Sequence, residues 1–234
     1  RAVVLHTAPF TIESDPQGYQ VLLDHGKLAW QVVHFWPGSA AAIATRAPFP
    51  VGRWVHVVVT YDGSSRANGM RIFLDGEPLE TEVVRDALDG GATSRVFQLA
   101  HRDRDVGFAS GALDELALYD RALTGAEAAE LFAPGTGGAR VLARARGGAA
   151  DAANDLRAHW LRELDGEGRA AAEALRGARA AYQELHDALP ELMVMRATPY
   201  TRPAFVLRRG RYDDPDPARP VRADRAIEAL LPFD

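Results

Sequence analysis

The 234-residue sequence contains no cysteine, which excludes disulfides, thiolate zinc sites, a cysteine nucleophile and the Cys-x-x-Cys-His attachment of c-type haem. That absence does not choose a compartment. Long hydrophobic runs are missing as well. No stretch approaches the roughly 20 apolar residues of a membrane-spanning helix, and Arg1-Ala2-Val3-Val4-Leu5 lacks the plan of a signal peptide, so an export signal is expected upstream if the parent protein is exported. Basic excess is also absent: 27 Lys and Arg stand against 32 Asp and Glu, for a net charge of −5. The basic residues are scattered among acids, which leaves no stripe to neutralise a phosphate backbone and excludes nucleic acid as an expected partner. Apolar residues are plentiful, at 47%, enough to fill a core.

The clearest local pattern is Trp54-Val55-His56-Val57-Val58-Val59-Thr60-Tyr61-Asp62-Gly63, followed by Met70-Arg71-Ile72-Phe73-Leu74-Asp75-Gly76. β-Branched and aromatic residues dominate the first run, apolar residues alternate in the second, and each ends in Asp-Gly. This predicts a β-hairpin with a long polar tip. Similar short runs surround it: Val3–Thr7, Tyr19–Leu23, Leu28–Phe35, Ala41–Thr45, Thr81–Val84, Arg95–Ala100 and Gly111–Tyr119. Short strands punctuated by turns, with no helix between them, predict an antiparallel β-sandwich or jelly roll over residues 1–133.

Thr124-Gly125-Ala126-Glu127 has capping-box spacing and predicts a short helix to about Phe132. Pro134-Gly135-Thr136-Gly137-Gly138 opens a linker assigned to 134–150. Residues 151–190 are rich in Ala, Leu, Arg and Glu, all good helix formers. Leu156, Trp160 and Leu164 share one face; Leu175, Ala178, Tyr182, Leu185 and Leu189 share another, with Asp165-Gly166-Glu167-Gly168 as the turn. An antiparallel helical hairpin with a narrow apolar seam follows. Proline ends it at Pro190 and recurs through 191–234, an extended, irregular tail with one apolar run, Ala204–Leu207.

Taken together, the paired hairpin strands and the segment Leu113-Asp114-Glu115-Leu116-Ala117-Leu118-Tyr119-Asp120-Arg121-Ala122-Leu123-Thr124 resemble the laminin G-like branch of the concanavalin A-like lectin/glucanase superfamily. The resemblance covers residues 1–133 and implies a concanavalin A-like sandwich. More narrowly, His34-Phe35-Trp36-Pro37-Gly38, Asp62-Gly63-Ser64-Ser65-Arg66-Ala67 and Glu82-Val83-Val84-Arg85-Asp86 look like the version inserted in large planctomycete multidomain proteins of unknown function, which often carry cytochrome c-like modules upstream. Pro190–Arg196 and Arg202–Asp213 resemble the start of the domain that follows there. Val221–Ile227 departs from the proline-rich run usual at that point. The resemblance implies an extracytoplasmic setting and neighbouring domains in one chain. It also implies that the sequence begins inside the sandwich, without its first strands, so an unpaired sheet edge is expected.

Glucanases of this superfamily place catalytic carboxylates at alternate positions of one strand. Asp114 and Glu115 are adjacent and would face opposite ways, so a hydrolase ranks third, behind a binding module for a glycan or protein ligand and a structural spacer. Laminin G-like relatives often hold calcium at the rim. Asp103 and Asp105 have the best spacing for it, with Asp62 and Asp75 as other loop carboxylates, although Arg102 and Arg104 oppose a cation and could pair with them instead. For a sugar, Phe35, Trp36 and Tyr61 lie beside turns, with Arg66 on the hairpin tip, and are the candidate ligand contacts. The competing reading buries Trp30, Trp36 and Trp54 between the sheets.

Overall fold

In the computed structural model, residues 2–7, 17–92, 97–101, 107, 111–190, 204–210 and 214–221 are described, and the chain divides into two units, Arg1–Pro190 and Glu191–Asp234. The strands of the first unit, in chain order, are β1 (Ala2–His6), β2 (Gly18–Asp24), β3 (Lys27–Phe35), β4 (Ser39–Thr45), β5 (Val57–Tyr61), β6 (Met70–Leu74), β7 (Glu77–Pro78), β8 (Thr81–Asp86) and β9 (Gln98–Leu99). They build two antiparallel sheets, one in the order β8-β4-β3-β2-β1-β9 and one in the order β5-β6-β7. The expected open edge at β1 is partly taken, because β9 pairs with Leu5 and His6.

Alternation in the hairpin now has its reason. Met70 and Ile72 point from β6 into the core, where they meet Trp30 and Ile43 of the larger sheet, with Val57, Val59 and Tyr61 of β5 packed alongside. The Trp30 indole N–H donates to the Thr60 carbonyl at 3.0 Å and ties the sheets together. β3 and β4 are buried on both faces. That explains how an alanine-rich run, Ser39–Thr45, can be a central strand: packing on both sides overrides weak intrinsic preference.

Two sequence expectations are corrected. Trp54 is not a core residue but 67% exposed, because the strand starts at Val57 and the preceding Arg53 is turned to Asp75. Gly111–Tyr119 is not a strand: it runs as exposed irregular chain, with Leu113, Leu116, Leu118 and Tyr119 in solvent. Alternating residues do not make a strand unless a neighbour takes up the backbone N–H and C=O groups, and the described strands offer this segment none.

The helical region follows as α1 (Gly125–Phe132), α2 (Gly137–Arg146), α3 (Ala150–His159) and α4 (Gly166–Asp187). The stretch assigned above to a linker therefore carries a helix, favoured by its Ala, Leu and Arg content and started by the Glu130 carboxylate, which accepts from Gly138 N at 3.0 Å. α1, α2 and α3 pack through Ala129, Val141 and Ala152. α3 continues in a π-helical turn, Trp160–Leu164, and Asp165 caps α4 by accepting from Gly168 N at 2.7 Å. The two helices stand where periodicity placed them, yet α3 packs on α1 and α2 and not along α4. Leu175, Tyr182, Leu185 and Leu189 remain exposed, and α4 has no buried residue. In the second unit, β10 (Ala204–Leu207) and β11 (Pro215–Val221) form a two-stranded antiparallel ribbon. Both strands are edges, the one place in a sheet where several prolines are tolerated.

The α1 capping box is fully formed. Thr124 Oγ1 accepts from Glu127 N at 3.3 Å, and Glu127 Oε2 accepts from Thr124 N at 2.7 Å. Burial opposes ionisation of Glu127. The Arg121 guanidinium at 2.5 Å and the Thr124 amide and hydroxyl outweigh it and hold the carboxyl down from 4.5 to about 2. A folded-state pKa below the unfolded one stabilises fully above the unfolded value and is lost as pH falls through the folded value. The contribution is at most roughly 3 kcal/mol and disappears between pH 4.5 and about 2. Urea denaturation of Glu127→Gln against the parent should therefore show a stability gap at neutral pH that closes over that window. A gap independent of pH would contradict it.

Candidate functional site at the sandwich rim

The connection from β5 to β6 is held by its own residues and by Asp86 of β8. Asp62 Oδ1 accepts from Ser64 N at 2.9 Å, the Tyr61 hydroxyl accepts from Ser65 N at 2.7 Å, and Asp86 Oδ1 accepts from Ala67 N at 2.8 Å. Burial raises the Tyr61 pKa against the hydrogen bond to Ser65, so the phenol is neutral and free to accept. Gly63 takes φ +76° and Ser65 φ +57°, the second a left-handed conformation that costs a non-glycine residue about 1–2 kcal/mol. The Ser64 hydroxyl oxygen is buried with no hydrogen-bond partner.

α4 passes over this tip. Arg179 Nη1 donates to the Asp62 carbonyl at 2.7 Å and lies 3.9 Å from its carboxylate. Near its C-terminal end, Asp187 Oδ1 accepts from Gly91 N at 2.8 Å and from Gln183 Nε2 at 2.9 Å. The third side is the segment after β8. Ser39 Oγ accepts from Asp89 N at 3.1 Å and from Gly90 N at 3.3 Å, while His34 Nδ1 bonds Gly91 O at 2.7 Å. Gly90 lies so close to the imidazole that a Cβ there would meet His34 Cγ at 2.3 Å. Between these three walls is a cleft of about 440 Å³, lined by Gly63 to Arg66, Leu88, Asp89, Ala178, Arg179, Tyr182 and Gln183. Its lining holds two guanidinium groups and one carboxylate.

Of the ligand contacts expected from sequence, Arg66 lines the cleft. Tyr61 does not line it but braces the tip from below. Phe35 and Trp36 are exposed on the β3–β4 turn, Trp36 at 38%; the ends of that turn, His34 and Ser39, fasten the Asp89 wall, and neither aromatic reaches the lining. Trp36 is thus at the surface and not between the sheets. Asp103 and Asp105 lie outside the described residues. Asp62 and Asp75 are engaged, the latter with Arg53 at 2.8 Å and His56 N at 2.9 Å. Among the described residues no three His, Asp or Glu side chains converge as a metal site. Asp114 accepts from Glu115 N at 2.8 Å on the exposed 111–119 segment, away from the cleft lining.

Sequence reasoning missed Asp89, Arg179, Tyr182 and Gln183. Tyr182 falls in the helical seam that periodicity predicts, and nothing local in the sequence marks that seam as unpartnered. Among the described residues no helix is long and apolar enough to cross a membrane. A laminin G-type model of the concanavalin A-like lectin/glucanases superfamily matches residues 2–129. No curated protein matches the chain.

Proposed function

The chain belongs to the concanavalin A-like lectin/glucanases superfamily through residues 2–129, and we propose that it is a non-catalytic recognition module for a glycan or protein ligand within a larger extracytoplasmic protein. Domains of this family are often ligand-binding and commonly extracellular. The observation that carries the reading is the rim cleft, an open concavity of mixed polar and apolar lining with exposed aromatic and guanidinium groups, of the volume of small-ligand sites. A glycosidase needs two carboxylates about 5–9.5 Å apart across one cleft, and Asp89 is the only carboxylate in this lining. That favours binding over hydrolysis.

A structural spacer is the second reading. It is favoured by α4, a 22-residue helix with no buried residue, which suits an element that separates neighbours more than one that fills a core. Titration calorimetry of the chain against a polysaccharide and protein panel, with and without added calcium, tests the choice. Saturable binding of at least one ligand is the expected result, and a calcium-dependent affinity would add a metal to the site. Failure to bind any ligand under either condition transfers the assignment to the spacer.

A further inference from the structure

The geometry points to the cleft between the hairpin tip and α4 as a binding site for a short carboxylate-bearing glycan, an oligouronate in chemical class, with the helix supplying four of the ten lining residues. This rests on the recognition reading above and adds to it the ligand class and the second wall. Charge is the first argument. The chain carries a net −5, yet the cleft lining has two arginines against one aspartate. Although Asp62, outside the lining, lies 3.9 Å from Arg179, Arg66 has no counter-charge of its own among the described residues. Arg66 is exposed and its side chain makes no hydrogen bond or ion pair among the described residues. Arg179 engages Asp62 through Nη1, and its remaining donors have no partner among the described residues. Guanidinium forks match carboxylates in a way that ammonium groups do not.

Shape and chemistry agree with a sugar. Tyr182 is 63% exposed and presents a ring to the cleft, on which the C–H face of a pyranose can pack, while Asp89 can accept from ring hydroxyls. The tip and the helix also each carry a buried polar atom that folding alone leaves unpaired. At the tip the Ser64 hydroxyl is buried without a partner. On the helix, one turn past Tyr182 and in ring contact with it at 6.2 Å, His186 has Nδ1 buried without a partner. A buried polar atom that the fold leaves unpaired is a position for a ligand or a water to satisfy. α4 is not held here by core packing, since none of its residues is buried. Arg179 holds it to the Asp62 carbonyl at the tip and Asp187 holds it to Gly91 N on the segment after β8, and a bound ligand would join helix and tip.

Calorimetry on the whole chain with trigalacturonate and its carboxyl-reduced counterpart tests this. The acidic ligand should bind at least about 10-fold more tightly than the reduced one, and Arg66→Ala and Tyr182→Ala should each weaken it by about 10- to 100-fold. Both positions are exposed, so far-UV circular dichroism should show intact folds. Trp54→Ala, an exposed aromatic outside the cleft, should bind as the parent does. Raising ionic strength from about 0.05 to about 0.5 M should weaken the acidic ligand. Equal affinity for acidic and reduced sugars overturns the ligand class and leaves the recognition reading standing. Binding lost in Trp36→Ala but kept in Arg66→Ala and Tyr182→Ala overturns the cleft. No binding of any glycan or protein overturns both.

Discussion

Arg71→Ala should cost about 3–5 kcal/mol of stability, and Asp155→Ala distinctly less. Arg71 on β6 and Asp155 on α3 form a two-pronged ion pair, Nη1 to Oδ1 and Nη2 to Oδ2, the second at 3.2 Å. The partners differ in burial: the Asp155 side chain is 6% exposed and that of Arg71 36%. Without Arg71, a buried carboxylate loses its counter-charge and cannot reach water. Without Asp155, the guanidinium can be hydrated and still sits over the Phe73 ring at 4.8 Å. The asymmetry is therefore the prediction, more than either magnitude. A double replacement by apolar residues, Arg71→Met with Asp155→Leu, should be milder than Arg71→Ala, since it leaves no unpaired charge. Equal losses in the two single variants, or additive losses in the double, would show that the pair does not behave as a buried one. Urea denaturation of the four proteins decides it.

That ion pair was invisible in the sequence, and the reason is general. Arg71 occupies the outward position of a strand whose alternation was read correctly, and Asp155 lies on a helix 84 residues away. Alternation and helical periodicity report which face of an element is apolar, not what covers the other face. The same limit explains the two misread segments. Trp54 and the Leu113–Tyr119 run have strand-like composition, and both lie in solvent because composition does not supply a pairing partner. The alanine-rich run Ala41–Thr45, read as a strand, is one, and its place between β3 and β8 makes a strand from weak formers. The capping box at Thr124 and Glu127 was legible because it is local: both partners lie within one turn.

The site divides in the same way. Arg66 and Tyr61 were singled out because they flank a recognisable turn, and the structure puts both at the tip. Phe35 and Trp36 lie beside the Pro37-Gly38 turn, which leaves Trp36 open between surface and core, and no sequence feature says which wall their turn supports. Arg179, Tyr182 and Gln183 come from a helix beyond the matched span of residues 2–129, so a reading confined to the sandwich could not include them. Tyr182 sits at a position that periodicity assigns to packing. It is exposed because α3 turns to α1 and α2 through Val141 and Ala152 and leaves α4 to the rim.

Gly76→Ala should cost about 2–5 kcal/mol, whereas Gly26→Ala, at a turn of the same geometry, should cost only about 1–2. Each glycine is the second residue of a two-residue hairpin turn with both positions left-handed: His25 and Gly26 at φ +48° and +77°, Asp75 and Gly76 at +51° and +78°. The backbone cost of adding a methyl group is thus matched. The surroundings are not. A Cβ on Gly26 meets nothing within 4 Å, while one on Gly76 lies 3.1 Å from the Ala129 Cα and 3.2 Å from the Phe132 Cβ, both on α1. The neighbours include backbone, so α1 itself must shift, and the His56–Phe132 ring contact at 5.9 Å shifts with it. The difference between the variants, about 1–3 kcal/mol, measures how firmly α1 is seated on the hairpin; equal losses would mean that it is not. Its consequence reaches the cleft. Gly76 and the tip lie at opposite ends of β6, α1 is seated at the first, the Arg71–Asp155 pair fastens α3 along the strand, and Arg179 brings α4 to the second. Loosening α1 at Gly76 should therefore weaken ligand binding at the distant tip, whereas Gly26→Ala, which touches none of the helices, should lower stability and leave affinity unchanged.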